Sequence, residues 1–404
     1  MIAKYILPAV AAFGSAAAQC SKATATINAP ADATGLSSCR TYQGSILINT
    51  GAQGNIDLSG IERITGDLIC ENNGVVSSIA GSTLGTIEGD FKLTNLSVLN
   101  NLGFPSLKTV GSILWTSLPS FDTLNFGTPG VTKAKVVTIS DTFLTALDGI
   151  DLKTVDTLNI NNNRRLTDMT IQLENLSNVL NIQANGDDLR VNLPNLVWIA
   201  NMTIANVSSI SFPSLEVVNG SARFDSNYIS TFTAPNLTST TSGDLSFVGN
   251  SNLTNITVPA LTKVGGGLLI ANNTGLEHLD GFPKLKTVLG AVKLRGSFKD
   301  IAFPALNDVR GAFDVSSTED ITDSCDKFKA LAPSKQGGNG KIQGTYTCTS
   351  NNENANNDTS GNTSGGKGSS GSGSGDGKKN AGVGLAFNAA ILGLAVVGGL
   401  VALL

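Results

Sequence analysis

The chain has 404 residues and a net charge of −4; 14% of its residues are charged and 41% are hydrophobic. The charged share is about half that of an average soluble domain, and the lack of a basic excess excludes a nucleic-acid partner. The single histidine, His278, excludes a multi-histidine metal site, and we predict no cofactor.

The N-terminal segment, residues 1–18, has the pattern of a secretory signal peptide. Lys4 supplies a positive charge, an apolar stretch follows, and three small residues end at Ala18. We therefore expect the mature chain to begin near Gln19 and to fold in an oxidising compartment, where disulfides form.

Residues 44–315 contain one repeated unit of about 22 residues. Each unit has two apolar residues two positions apart, such as Leu245 and Phe247 in one turn and Leu268 and Ile270 in the next, and this period of two places both on one side of a short strand. A second apolar pair follows a proline that marks a fixed turn. One unit cannot bury its own apolar side, but stacked units share a continuous core. We predict an all-β, right-handed parallel β-solenoid of about thirteen turns. The first positions of the units are residues 44, 66, 89, 111, 135, 156, 178, 200, 220, 243, 266, 290 and 311.

Two residue types fit the corners of such turns. Most first positions are glycine, which we attribute to a left-handed backbone at the corner that enters each strand. Asparagine follows the strand at a fixed offset, where stacked side chains can satisfy backbone groups. These residues are Asn73, Asn163, Asn185, Asn227, Asn250 and Asn273.

Four cysteines bracket the array, whose open ends need covering. We predict disulfides Cys20–Cys39 in an N-terminal cap of residues 19–43 and Cys325–Cys348 in a C-terminal cap of residues 316–348, with short helices near 31–38 and 325–332. Cys70 is left over at an inward strand position, so a buried, inert thiol is expected.

The C-terminal part has two segments. Residues 349–380 are rich in Gly, Ser and Asn and bury too little apolar surface to fold, so we predict a disordered stalk. Residues 381–404 form an apolar tail after small residues, the pattern of a glycosylphosphatidylinositol (GPI) attachment signal. We predict the lipid on Asn380, with Gly375 as the alternative because the spacer is short; a membrane-spanning helix is the competing interpretation of the tail.

Eleven Asn-x-Ser/Thr sequons predict a glycoprotein. They begin at Asn95, Asn175, Asn201, Asn206, Asn219, Asn236, Asn252, Asn255, Asn272, Asn357 and Asn362.

In order, these features resemble the fungal GPI-anchored cell-wall organisation proteins built on receptor L-domain repeats. The resemblance rests on the cap that ends Leu36-Ser37-Ser38-Cys39, the Phe-Pro-x-Leu-x-x-Val repeats and the closing Tyr346-Thr347-Cys348, followed by stalk and anchor signal. It implies leucine-rich-repeat-like turns and secretion through the endoplasmic reticulum to the outer face of the plasma membrane or the cell wall. It also implies a non-enzymatic role in wall organisation and integrity. The implied partners are the outer leaflet, through the GPI lipid, and cell-wall glucan or mannoprotein.

Two other functions stay open. A carbohydrate-active β-helix enzyme would need paired carboxylates on one face. Asp67, Asp90 and Asp244 share a phase, but they are separated along the array or lack a basic neighbour at the same phase. An L-domain ligand-binding receptor would need a contact surface, for which Trp198 is the candidate; the phase of Trp115 predicts an inward side chain.

Overall fold

A computed structural model of the protein describes residues 19–357. Its helices are α1 (Pro30–Gly35), α2 (Thr322–Lys329) and one 3₁₀ turn (Ser334–Gln336). Its strands are β1 (Thr24–Ile27), β2 (Thr41–Tyr42), β3 (Ser45–Ile48), β4 (Gly54–Asp57), β5 (Arg63–Ile64), β6 (Leu68–Glu71), β7 (Val76–Ala80), β8 (Thr86–Thr94), β9 (Asn101–Phe104), β10 (Thr109–Leu118), β11 (Leu124–Phe126), β12 (Val136–Thr142), β13 (Thr154–Asn161), β14 (Asp168–Thr170), β15 (Asn175–Gln183), β16 (Arg190–Asn192), β17 (Trp198–Ala205), β18 (Ser209–Ser211), β19 (Val217–Val218), β20 (Ala222–Asp225), β21 (Thr231–Thr233), β22 (Ser239–Thr240), β23 (Leu245–Val248), β24 (Asn255–Thr257), β25 (Lys263–Val264), β26 (Leu268–Ala271), β27 (His278–Leu279), β28 (Thr287–Val288), β29 (Val292–Gly296), β30 (Asp300–Ile301), β31 (Asp308–Val309), β32 (Phe313–Ser317) and β33 (Tyr346–Thr349).

The strands stack as parallel neighbours, each paired with the strand one turn away. Twenty-two of them form one main sheet, and the opposite side of the turns carries four shorter sheets. Ile46 lies opposite Leu68, which lies opposite Phe91, and this register continues through Phe313. The predicted parallel β-solenoid of about thirteen turns is confirmed.

The core runs through the middle of the stack. The side chains of Phe247 and Ile270 are 0% exposed, as the period-two pattern predicts. Trp115 is also fully buried and makes edge-to-face contacts with Phe91 and Phe121 at ring-centroid distances of 5.6 and 5.8 Å. Each such large side chain contributes about 1.5–3 kcal/mol by leaving water.

The repeated prolines occupy tight turns. In each of these turns the carbonyl before the proline accepts a hydrogen bond from the leucine N–H three residues on, as between Phe104 and Leu107 at 3.2 Å or Phe282 and Leu285 at 3.2 Å. Proline suits the second position of such a turn because its fixed φ matches and no N–H is lost from a ladder.

Our explanation of the repeated glycines is wrong. Of the nine glycines at first positions, Gly44 alone has a positive φ. A Cβ atom on Gly243 would instead lie 2.2 Å from the carbonyl carbon of Gly220 and 2.4 Å from the nitrogen of Ser221, one turn below. Glycine is needed here because consecutive turns approach too closely for any side chain.

We expect Gly243→Ala to lower the free energy of unfolding by about 2 kcal/mol, because the added methyl group must push two backbone segments apart. Gly85→Ala is the matched control, since its Cβ would meet no atom closer than 3.7 Å. Urea unfolding of both variants measures the difference. Equal midpoints for the two variants would contradict the close-approach explanation.

The left-handed residues lie at the other end of the strand, at the corner that follows it. They share one phase in ten consecutive turns, where φ is between 51° and 68°. Asn predominates because it tolerates this conformation better than other side chains. The ten are Asn72, Asn95, Ser117, Asp141, Asn162, Ala184, Asn206, Ser226, Gly249 and Asn272.

The next residue in each turn points inward, and the predicted asparagine ladder occupies this position. The six asparagines are at most 5% exposed. The Asn250 Oδ1 atom accepts hydrogen bonds from Asn227 N (2.8 Å) and Asn227 Nδ2 (3.0 Å), and Asn250 Nδ2 donates to Phe224 O (2.9 Å) and Asn273 Oδ1 (3.0 Å). The ladder therefore satisfies corner backbone groups, as predicted. Val207 interrupts it between Asn185 and Asn227.

Disulfides join Cys20 to Cys39 and Cys325 to Cys348, the pairings that the sequence predicts. The caps also extend the main sheet, because β1 pairs with β3 and β33 pairs with β32. Both helices begin earlier than expected. At α1 the start is set by Pro30 in the first turn and by Asp32, whose Oδ2 atom accepts hydrogen bonds from the N–H groups of Asn28 and Ala29.

Ordered structure continues past Cys348 into residues that we assigned to the stalk. Asn352 N donates to Ser317 O (2.8 Å), its Nδ2 donates to Ser316 Oγ (2.8 Å), and Ala355 is 1% exposed. Composition alone conceals this contact because polar side chains, not apolar ones, make most of it.

Candidate functional surface

Ten side chains on the outside of the main sheet form an uncharged area, here called the neutral face. Its strands β10, β12, β13, β15 and β17 pair in that order. Each strand contributes two side chains that point outward because the residues between them are buried. The ten residues are Leu114, Thr116, Thr138, Ser140, Asn159, Asn161, Asn181, Gln183, Thr203 and Ala205; nine are half-buried, and Ala205 is 8% exposed.

Charged residues bound the neutral face at both ends of the stack. On one side, Lys92 forms an ion pair with Glu71 at 2.8 Å. On the other side, Arg223 lies opposite Thr203, and Asp225 lies opposite Ala205. Five strands at a spacing of about 4.8 Å give the uncharged area a length of about 20 Å along the stack.

An amide network orders the centre of the neutral face. Ser140 Oγ donates to Asn161 Oδ1 (2.6 Å), Asn161 Nδ2 donates to Asn159 Oδ1 (2.8 Å), and Asn181 Nδ2 donates to the same Asn159 oxygen (2.9 Å). Gln183 Nε2 continues the chain to Asn181 Oδ1. Held rotamers reduce the entropy that binding would cost. We did not predict this face from the sequence, although the lack of charged residues at these two positions of the repeat is visible there.

No sequon asparagine is one of the ten neutral-face residues, but Asn201 lies two residues before Thr203 on β17 and Asn206 follows Ala205. Among the residues that the structure describes, Asn206 and Asn272 are half-buried and the other eight sequon asparagines are exposed. Asn95, Asn206 and Asn272 occupy left-handed corners. No sequon asparagine within residues 19–357 falls at the two neutral-face phases in any turn. Glycosylation itself stays a prediction.

Trp198 lies on the outside of the stack, half-buried, beside Val197, which is 38% exposed. Its register partners are the sequon residue Asn175 on one side and Val217 on the other. The structure therefore brings Trp198 next to a predicted glycan position. Its role as a ligand contact stays a prediction.

A cleft of about 620 Å³ lies between the last turns and the segment after Cys348. It contains one carboxylate, Asp314, which forms an ion pair with Arg295. Glycoside hydrolysis generally needs two carboxyl groups that flank the scissile bond. The cleft is lined by Arg295, Asp314, Ser316, Thr347, Thr349, Asn352, Asn354 and Asn357.

The carboxylates that the enzyme alternative would use hold turns together. Asp67 and Asp90 lie in adjacent turns, and Asp67 Oδ1 accepts a hydrogen bond from Asp90 N (2.8 Å). In the same way Asp244 Oδ1 accepts one from Gly267 N (2.7 Å). His278 is exposed on β27. Within residues 19–357, no group of three or more His, Cys, Asp or Glu side chains is placed to hold a metal ion.

Cys70 is fully buried and is not part of a disulfide. Burial, with a smaller contribution from Glu71, raises the pKa of its thiol to about 12. The thiol therefore stays protonated at neutral pH, and the thiolate that reacts with electrophiles is scarce. Burial and protonation agree with the inert thiol that the sequence predicts.

Asp225 gives the fold a pH dependence. Burial raises the pKa of its carboxyl group to about 6, an effect that the positive charge of Arg223 partly opposes. Because the folded chain binds this proton more tightly than the unfolded chain, the contribution to stability is complete below pH 3.8 and is lost as pH rises through 6.

We therefore expect Asp225→Asn to raise the melting temperature at pH 7 and to have little effect at pH 4. Thermal unfolding between pH 4 and pH 7 measures this, with the exposed Asp187→Asn as the control. An equal gain for Asp225→Asn at both pH values would contradict the argument.

The signal peptide, the sequon Asn362 and both lipid-site candidates, Asn380 and Gly375, lie outside the described residues. Within residues 19–357 no helix is both long enough and apolar enough to cross a membrane.

Comparison with known proteins identifies relatives that match most of the chain. The Ecm33 family model, described as a GPI-anchored cell wall organization protein, matches residues 1–37. The chain is 42% identical over 349 residues to "Protein ecm33" of Aspergillus fumigatus, with 85% of each chain covered. It is 32% identical over 357 residues to "Cell surface GPI-anchored protein ECM33" of Candida albicans, which covers 86% of this chain and 84% of the relative.

A more distant relative is "Cell wall protein ecm33" of Schizosaccharomyces pombe, 29% identical over 328 residues, with 75% of this chain and 72% of the relative covered. No solved structure matches the chain. The names of the Candida and Schizosaccharomyces relatives describe surface and wall proteins and not enzymes. The identity with the Aspergillus protein extends over 85% of the chain, and the chain therefore belongs to the Ecm33 family of fungal GPI-anchored cell wall organisation proteins.

Proposed function

We propose that the protein is a non-enzymatic, GPI-anchored glycoprotein that is required for the organisation and integrity of the fungal cell wall. The observation that supports a scaffold over an enzyme is the use of its aligned carboxylates. In Asp67 and Asp244, the Oδ1 atom accepts a hydrogen bond from a backbone N–H group of the next turn. A catalytic carboxylate has to face a substrate instead.

The protein acts at the outer face of the plasma membrane and in the cell wall, as its relatives' names indicate. We place the lipid on Asn380, with Gly375 as the alternative, and the stalk between the folded part and the lipid. The resemblance to the fungal GPI-anchored wall proteins implies that a dibasic pair just before the anchor site favours retention at the membrane, and Lys378-Lys379 occupies that place before Asn380.

Deleting the gene and challenging the fungus with wall-binding dyes tests the function. We expect the deletion strain to be hypersensitive to Calcofluor white and Congo red, and the full-length gene to restore resistance. A deletion strain with normal resistance and a normal wall would overturn the proposal.

The anchor is tested separately. Phosphatidylinositol-specific phospholipase C is expected to release the protein from membranes, and Asn380→Gln is expected to reduce the amount of lipid-linked protein. Full membrane retention after lipase treatment would favour the spanning helix instead.

A further inference from the structure

We propose that the neutral face binds an extended, uncharged β-linked polysaccharide whose chain runs along the stack from β10 to β17. The inference deepens the proposed function and rests on it for the source of the polymer, which is the cell wall. It assigns a contact surface to a scaffold that otherwise has none.

The lack of charge on the neutral face favours an uncharged ligand. Ten consecutive outward positions carry no charged side chain, while Lys92, Glu71, Arg223 and Asp225 lie just beyond the two ends. An ionic ligand would find no counter-charge on this face and would lose its hydration there. A hydroxyl-rich neutral chain can exchange its hydrogen bonds with water for hydrogen bonds with amides and hydroxyls.

The spacing of the strands fits an extended polymer. Neighbouring strands repeat every 4.8 Å or so along the stack, which is close to the length of one sugar unit in an extended β-linked chain. Asn159, Asn181 and Thr203 follow one another in register at this spacing. Successive sugars of a polymer would therefore meet equivalent side chains, which a branched or compact glycan would not.

The amide side chains of the neutral face are already held in place. The Asn159 oxygen already accepts hydrogen bonds from Asn161 and Asn181, so the network fixes the rotamers of all three amides. Within the described part of the chain, no protein acceptor takes the hydrogens of Asn159 Nδ2, and Asn159 is half-buried at an outward position of its strand. Donors that are held in place in this way bind a ligand at a low entropic cost.

Most of the neutral face is free of predicted glycans. Its two phases carry no sequon asparagine in any described turn, and the nearest one on its own strands is Asn201, two residues before Thr203 on β17. A glycosylated chain would therefore keep the part of the face from β10 to β15 open to a polymer.

The experiment measures binding of the glycosylated full-length protein, purified from a fungal host in detergent, to chitohexaose and to laminarihexaose, with an oligogalacturonate as the anionic comparison. We expect one or both neutral hexasaccharides to bind with little dependence on salt, and the anionic one not to bind. We expect Asn181→Glu to weaken binding at least about tenfold, because it breaks the network and leaves a charge against uncharged hydroxyls.

The matched control is Asn192→Glu, the same substitution at a half-buried outward residue of the same turn on the second side. It is expected to bind like the wild type. If Asn181→Glu fails to fold, Thr138→Lys replaces it, with Thr170→Lys as its control. No binding of either neutral hexasaccharide, or equal loss in a face variant and its control, would overturn the proposal, as would binding only to the anionic oligosaccharide.

A complementation test separates this inference from the proposed function. If Asn181→Glu loses hexasaccharide binding but fully restores dye resistance to the deletion strain, the neutral face is not how the protein acts and the wall role stands. If the deletion strain has no wall defect, the wall role fails whatever the protein binds.

Discussion

Asn250→Asp is expected to lower the free energy of unfolding by about 4 kcal/mol at pH 7. The substitution keeps the shape and the oxygen that accepts from Asn227, but it replaces the Nδ2 donor with a second oxygen. That oxygen would face Phe224 O and Asn273 Oδ1, the acceptors that now lie 2.9 and 3.0 Å from the nitrogen. Two hydrogen bonds become repulsive contacts, and the position is 0% exposed.

Urea unfolding monitored by circular dichroism measures the loss. It should be smaller at pH 4 than at pH 7, because a protonated carboxyl group regains one donor. Asn195→Asp is the matched control, since Asn195 is exposed and outside any sequon, and it should change stability by less than about 0.5 kcal/mol. Equal losses of unfolding free energy in the two variants would show that the buried asparagine ladder does not contribute to stability as argued.

The sequence predicts the repeating core well because the period-two pairs and the 22-residue step are both local patterns. Each turn contacts only the turns directly before and after it, so the pairing register of the strands follows once the repeat length is known. This is why Phe247 and Ile270 were placed correctly, and why the cap disulfides could be paired. The caps were less predictable in detail, because β1 and β33 have the length of a strand but not its repeated pattern.

The glycine explanation failed for a physical reason. A glycine at a corner is compatible both with a left-handed backbone and with close approach of another segment, and the residue type does not distinguish them. The contact that decides, between Gly243 and Gly220, joins residues one turn apart. The left-handed corners are harder to predict, because their residue type varies, for example from Asn72 to Ala184. In several turns the next residue is also an asparagine, and the sequence pattern is assigned to that inward position instead.

The candidate surface was predictable only in outline. Lack of charge at two phases is visible once the turns are aligned, but it gains meaning when the amides of Asn159 and Asn181 are seen to bond across strands. Side-chain rotamers of this kind follow from three-dimensional neighbours and not from spacing. Trp198, by contrast, was singled out by its residue type, and the structure places it away from the neutral face, beside Asn175.

The open end of a stack of turns has to be covered, and the C-terminal cap does this for the last turn. A change in this cap is the second substitution from which we expect a large loss of stability. Cys325 on α2 is bonded to Cys348 on β33, the last strand of the main sheet. Around this bond, Tyr346 Oη donates to Cys325 O (2.6 Å), and Phe328 packs on Phe313 with ring centroids 4.7 Å apart. The disulfide therefore fastens the helix and the strand that together cover the final turn.

The double variant Cys325→Ser/Cys348→Ser is expected to lose about 3 kcal/mol of unfolding free energy, because the unfolded chain is no longer constrained by a closed loop. Loss of the cap would also expose the edge of β32 to pairing with other chains, so we expect aggregation at lower urea than in the wild type. Unfolding with and without reducing agent separates these contributions. Both proteins are reduced for this comparison, because the agent also opens Cys20–Cys39. If the Cys325–Cys348 bond causes the difference, the reduced wild type and the reduced variant must unfold alike; a difference that persists would assign the effect to the serine side chains instead.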